Sequence, residues 1–81
     1  MQKLSYNEIK RLSTEDAAKY FLEFEMINKR GFSKEFAKKL LEESELLIYA
    51  NKYPEQFFHR EAGYWVDEMT KEHDLNVKAV V

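Results

Sequence analysis

The sequence has no cysteine. Disulfide staples and thiolate metal sites are therefore excluded, and a reducing cytoplasm is the expected compartment. Glycine and proline are nearly absent, at two and one, which favours long, uninterrupted elements. No stretch approaches the roughly 20 apolar residues that a membrane span requires. The opening residues Met1-Gln2-Lys3-Leu4 lack the apolar run of a secretory signal, so no targeting segment is expected. Charge of one sign is not in excess either: thirteen basic and fifteen acidic residues leave a net charge of −2. A nucleic-acid binder draws much of its affinity from phosphate neutralisation and needs a basic excess or stripe.

Catalytic signatures are equally scarce. There is no glycine-rich phosphate loop, no His-Glu-x-x-His and no Glu-x-x-His pair. The two histidines, His59 and His73, would stand roughly 21 Å apart along one straight helix at 1.5 Å per residue. Glu68, Glu72 and His73 come nearest to a ligand set, but His73 follows Glu72 directly and so points about 100° away from it on a helix. That cluster reads as a solvated last turn, and His59 as a helix-start or loop residue. The expected protein is non-enzymatic, with no cofactor and no metal.

What the chain does have is apolar and aromatic matter. Hydrophobic residues make up 44 % and aromatics 15 %, beside 35 % charged residues, too much apolar content for a disordered chain. Eighty-one residues form one domain, 1–81, able to bury only about 60–65 % of its unfolded surface.

Helix signals punctuate the sequence. Ser5-Tyr6-Asn7-Glu8 is a capping box, with Leu4 and Ile9 at the two positions of a hydrophobic staple. It predicts a short helix over roughly Tyr6–Leu12. Ser13 opens a second helix, with Glu15 and Asp16 where the helix dipole favours acid. Its apolar stripe is Ala17, Tyr20, Phe21, Phe24 and Ile27. Gly31 supplies the left-handed residue that ends it, and Phe32 is placed to fold back onto Ile27.

Ser33 caps a third helix, predicted to run to Lys52 with Phe36, Ala37, Leu40, Leu41, Ser44, Leu47 and Ile48 on one face. Pro54 disfavours helix at Tyr53 and suits a first helical position. A fourth helix is predicted within Glu55–His73, its stripe Phe58, Ala62, Trp65, Val66 and Met69. A break or kink is expected around Gly63, leaving a short turn before Arg60. The residues from Leu75 to Val81 are β-prone but lack a strand partner, and read as an extended tail.

The fold class is thus an all-α, three- to four-helix bundle with a short N-terminal helix. Its predicted core contains Phe21, Phe24, Ile27, Phe36, Leu40, Leu47, Phe58, Trp65 and Met69.

The stretch from Ile27 to Leu40 resembles the turn of a helix-turn-helix. Gly31, Phe32 and Ser33 match its glycine, apolar residue and serine, and Ala37 and Leu40 its apolar positions. The resemblance implies DNA binding, with Lys34, Lys38 and Lys39 approaching phosphates or bases. It covers fourteen residues and departs from the pattern twice. Ile27 stands where a small residue is wanted, and Glu42, Glu43 and Glu45 follow on the would-be recognition helix. The same segment is similar to the first loop of ubiquitin-associated domains, with Arg30 in place of their methionine and a much longer preceding helix.

A second apolar group lies off the main stripes. Leu46, Tyr49 and Tyr53 sit on the far side of the third helix, Phe57 and Tyr64 off the stripe of the fourth, and Leu22 and Met26 opposite Phe21 and Phe24. One small core cannot take all of them. Tyrosine and tryptophan give binding hot spots because they offer large area at low rotamer cost. Leu46, Tyr49, Tyr53, Phe57 and Tyr64 are therefore the candidate protein-binding residues. The expected partner is another protein, regulated or inhibited by steric cover, or a second copy of the chain; nucleic acid is the alternative, and no membrane is expected. The Lys-, Glu-, Asn- and Tyr-rich composition is compatible with a low-GC bacterium or its phages.

Overall fold

The computed structural model describes residues 1–80, the last three of these by their backbone alone. It is all-α, and no strand forms among the described residues. The helices are α1 (Tyr6–Lys10), α2 (Thr14–Phe24), α3 (Lys34–Glu43), α4 (Leu46–Lys52), α5 (Pro54–His59) and α6 (Ala62–Val80). A π-helical turn, Glu25–Lys29, continues α2.

Serine chemistry starts three of these helices. Ser5 Oγ accepts from the Glu8 amide at 3.2 Å while the Ser5 amide donates back to Glu8 Oε1, completing the predicted box. Ser13 Oγ accepts from the Asp16 amide and Ser33 Oγ from the Phe36 amide, each at 3.1 Å. Each bond satisfies an amide that the helix itself leaves without a partner. Gly31, with φ 71°, is in the left-handed region as predicted. There the Phe32 amide donates to the Met26 carbonyl at 2.8 Å. An ordinary Schellman closure spans one residue fewer; the π turn adds the extra one.

The core forms on a different face of α2 than the sequence indicates. Ala18, Leu22 and Met26, at i, i+4 and i+8, are fully buried, while Phe21 is 37 % exposed and Phe24 and Ile27 are half-buried. α2 is apolar on two sides, and the side carrying alanine faces inward. A small residue lets the neighbouring backbone come close, so leucine and methionine beside it can be enclosed. On the predicted side Tyr20 alone is buried, at 9 % exposure. Tyr20 Oη accepts from the Leu4 amide at 2.9 Å, and the Tyr20 ring packs against Phe21 and Phe24.

The third predicted helix is two helices. Ser44 is extended (φ −92°, ψ 159°), and its hydroxyl donates to the Leu41 carbonyl at 3.4 Å and accepts from the Leu46 amide at 3.5 Å. The restart changes the helical phase. Ala50 is buried, Leu47 becomes half-buried, and Ile48, predicted on the stripe, is 70 % exposed. The break also lets α4, more than α3, supply the main packing partner of α2.

The predicted fourth helix also divides, at Arg60 (φ −107°, ψ 151°), before Gly63. Because α5 need not keep the phase of α6, Phe57 turns inward and Phe58 outward, the reverse of the single-stripe reading. Phe57 is 2 % exposed and Phe58 44 %. Of the other predicted core residues, Leu40 and Met69 are buried, and Phe36 and Trp65 are half-buried. The stretch from Leu75 is helical as far as Val80, not an extended tail; Val81 lies outside the described residues. With no strand to pair with, its amides donate to carbonyls of the preceding turn.

Two polar links fasten α6. Arg30 donates through Nη1 to Asp67 Oδ1 (2.6 Å), through Nη2 to the Gly63 carbonyl (3.0 Å) and through Nε to Glu25 Oε2 (3.2 Å). His73 Nδ1 lies 2.7 Å from Glu43 Oε2, and its ring meets Phe36 edge-on. The first ties the long helix to the chain just before Gly31, the second to the last residue of α3.

Candidate functional site

The candidate binding residues divide. Leu46 and Tyr49 are half-buried on α4, Tyr53 follows it at 43 % exposure, and Tyr64, near the start of α6, is 40 % exposed. Phe57 does not belong with them. Its ring is inside the molecule, stacked on Trp65 at 5.4 Å with 8° between the planes. The break at Arg60 gives α5 that freedom.

Trp65 organises what remains. Its indole N–H donates to the Phe57 carbonyl at 2.9 Å, which fixes the ring. Tyr49 lies on one side (5.6 Å between centroids) and Tyr64 meets it edge-on at 4.9 Å. Tyr53 extends the group from Tyr49 at 5.5 Å. These tilted and edge-on arrangements are the ones aromatic quadrupoles favour. Of the four rings, Tyr49 and Trp65 are half-buried, and Tyr53 and Tyr64 are exposed.

Two grooves open on either side of the Tyr49–Trp65 contact. The larger, about 640 Å³, is lined by Leu46, Ile48, Tyr49, Tyr53 and Trp65, with Glu43, Glu45, Lys52 and Glu72 also at its walls. The smaller, about 380 Å³, adds Glu55, Gln56, His59 and Arg60. Cations already rest on the rings of this face. Lys52 Nζ lies 5.5 Å from the Tyr53 centroid, and the Arg60 guanidinium 4.4 Å from that of Tyr64. His59 is therefore an exposed residue beside a groove.

Sequence reasoning did not assign Ile48 or Trp65 to this surface, since both fell on predicted core stripes. A partial signal for Ile48 was present: serine competes for nearby backbone groups and can end a helix, as Ser44 does at the C-cap of α3, and a break there frees everything after it to change face. For Trp65 no comparable local signal exists.

The three lysines of the helix-turn-helix resemblance are all exposed on α3. Lys34 and Lys38 line a separate groove of about 680 Å³ over Ile27, Leu41 and Leu47, and Lys39 does not. That rim is mixed in charge. Lys38 Nζ lies 4.0 Å from Glu42 and Lys19 Nζ 3.9 Å from Glu23. Met1 and Gln2 line the same groove, where Asn28 Nδ2 donates to the Met1 carbonyl at 2.9 Å.

Among the described residues, no three histidine, aspartate or glutamate side chains gather in a geometry that could hold a metal ion, and no helix is long and apolar enough to cross a membrane. His73, read from sequence as part of a solvated last turn, is instead linked to Glu43 across the α3–α6 contact. Comparison of the chain with protein-family models, with curated proteins and with solved structures gives no match.

Proposed function

We propose that this chain is a non-enzymatic interaction module of the cytoplasm, which regulates or inhibits a larger protein by covering part of its surface. One observation carries the reading. The aromatic cluster of α4 and α6 is left incompletely covered by its own chain, with Tyr53 and Tyr64 each about two-fifths exposed and Ile48 70 % exposed beside them. Exposed apolar surface costs solvation free energy, and contiguous patches of it mark association sites in soluble proteins. Tyrosine, tryptophan and arginine are the residue types that dominate binding energies, and Tyr49, Tyr53, Tyr64, Trp65 and Arg60 meet on this face.

The test is capture of binding proteins from the host by the native chain and by an Ile48→Asp, Tyr53→Ala variant whose circular dichroism is unchanged. A protein retained by the first and lost by the second is the expected result. Equal retention removes this face from the interaction. Light scattering on an eluting peak distinguishes self-association, and titration of duplex DNA at low salt tests Lys34, Lys38 and Lys39, since phosphate contacts give a steep salt dependence.

A further inference from the structure

Resting on that reading, we infer that the 640 Å³ groove between α4 and α6 takes a basic, apolar-anchored segment of the partner, with an arginine or lysine seated beside Tyr49 and Trp65. Three features of the groove converge on that chemistry. Its floor is apolar and aromatic, from Leu46, Ile48, Tyr49, Tyr53 and Trp65. Its walls carry three carboxylates, Glu43, Glu45 and Glu72, against the single ammonium of Lys52. Glu43 is engaged by His73, whereas the ion pairs among the described residues involve neither Glu45 nor Glu72.

Aromatic faces attract cations through their quadrupole, and more strongly when carboxylates lie near and water is displaced. The face shows this preference with its own side chains, as Lys52 over Tyr53 and Arg60 over Tyr64. An acidic segment would meet like charge on the groove's walls, which disfavours a wrong partner more than it strengthens a right one. An uncharged apolar segment would fill the floor and leave Glu45 and Glu72 without partners. A helix with leucines on one side and lysines or arginines beside them satisfies floor and walls together.

Trp65 is the only tryptophan of the chain and lines this groove, so its emission reports occupancy directly. The probes are three synthetic, tryptophan-free amphipathic peptides sharing one leucine pattern, with lysine, glutamine or glutamate at the polar positions. The lysine peptide is expected to shift Trp65 emission with an affinity at least about tenfold above the glutamate peptide, as two or three half-exposed charge contacts provide. Glu45→Lys with Glu72→Lys should invert that order. Glu15→Lys with Glu35→Lys, on the first turns of α2 and α3, makes the same change of charge away from the groove and should leave the order unchanged, which separates local complementarity from the net charge.

Glutamine and lysine peptides binding equally, or an order insensitive to Glu45 and Glu72, overturns the basic-segment inference and leaves the interaction reading standing. If none of the three peptides alters Trp65 emission at millimolar concentration, the groove does not take basic apolar segments and the inference fails, while the interaction reading is decided by the capture experiment. Circular dichroism confirms that the charge-reversed protein is folded; the single substitutions give the same comparison if the double one is not.

Discussion

The two apolar regions of this molecule are built from different residues and end differently. Around Leu22, Met26 and Leu40, aliphatic side chains alternate with Ala18, Ala37 and Ala50, and every one of these is at most 1 % exposed. Around Trp65, rings stack on rings, and the outermost keep two-fifths of their surface in water. Alanine lets helices close up and seal leucine and methionine, whereas an aromatic cluster holds its helices apart. Sealing, not apolar content, separates the interior from the proposed binding face.

Substitutions should reproduce this contrast in size. Leu22→Ala has the largest expected effect, about 3–5 kcal/mol, because a side chain with no exposed surface leaves a cavity that close-packed neighbours cannot refill. At about 4–8 °C per kcal/mol for a domain of this length, the melting temperature should fall by well over 10 °C. A urea-derived unfolding free energy within about 1 kcal/mol of the parent's would show that α2 does not use this face.

Phe57 and Phe58 sharpen the same point within one dipeptide. Phe57→Ala removes a buried ring stacked on Trp65 and should cost about 3–4 kcal/mol. Phe58→Ala removes a ring that is 44 % exposed with edge contacts to Phe21 and Phe57, and should cost less, about 1–2 kcal/mol. A larger loss for Phe58→Ala than for Phe57→Ala in denaturant titrations would mean that α5 keeps the phase of α6, as the single apolar stripe implies.

That pair also shows where the sequence is legible. Ser5, Ser13, Ser33 and Gly31 are read correctly because a cap is local chemistry: a hydroxyl three residues from an amide, or a residue free to take positive φ. Helix class follows from spacing for the same reason. The faces are misread because periodicity assumes unbroken phase, and the phase is reset at Ser44, at Arg60 and in the π turn. α2 adds a second difficulty, since it is apolar on both sides and the choice between them is made by what packs against it. The candidate site inherits both errors. Phe57 moves in, Ile48 moves out, and Leu46 and Tyr49 stay half-buried at the groove with Tyr53 beside them.

Arg30 joins the two regions and should matter less than either interior residue. Its proton is held more tightly than in a free side chain, first by the hydrogen bond to Asp67 and then by Glu25, with burial acting in the opposite sense. A raised value contributes stability that is complete below the unfolded pKa and lost only as pH passes the folded one. Both lie far above neutrality, so this contact should give no pH dependence near pH 7. Arg30→Ala should cost about 1–2 kcal/mol, since charge-assisted bonds are lost but Asp67 is mostly exposed and can be rehydrated. The loss should shrink as salt is raised, and a double-mutant cycle with Asp67→Ala should return a coupling below about 1 kcal/mol. A salt-independent loss of 3 kcal/mol would instead mean that the guanidinium acts as part of the interior.

The smallest expected change is the one that separates binding from folding. Ile48 lies on α4 within two residues of Leu46 and Ala50, yet it is 70 % exposed and contributes little buried area, so Ile48→Ser should alter stability by less than about 0.5 kcal/mol. A side chain kept apolar for packing cannot be made polar at that cost, because burying a hydroxyl without a partner takes about 1–3 kcal/mol. If the unfolding free energy falls by 2 kcal/mol or more, Ile48 is part of the interior, and the face it shares with Tyr49 and Tyr53 is already covered. If stability holds while the emission response of Trp65 to the lysine peptide weakens, the same isoleucine is spent on a partner instead of on the fold.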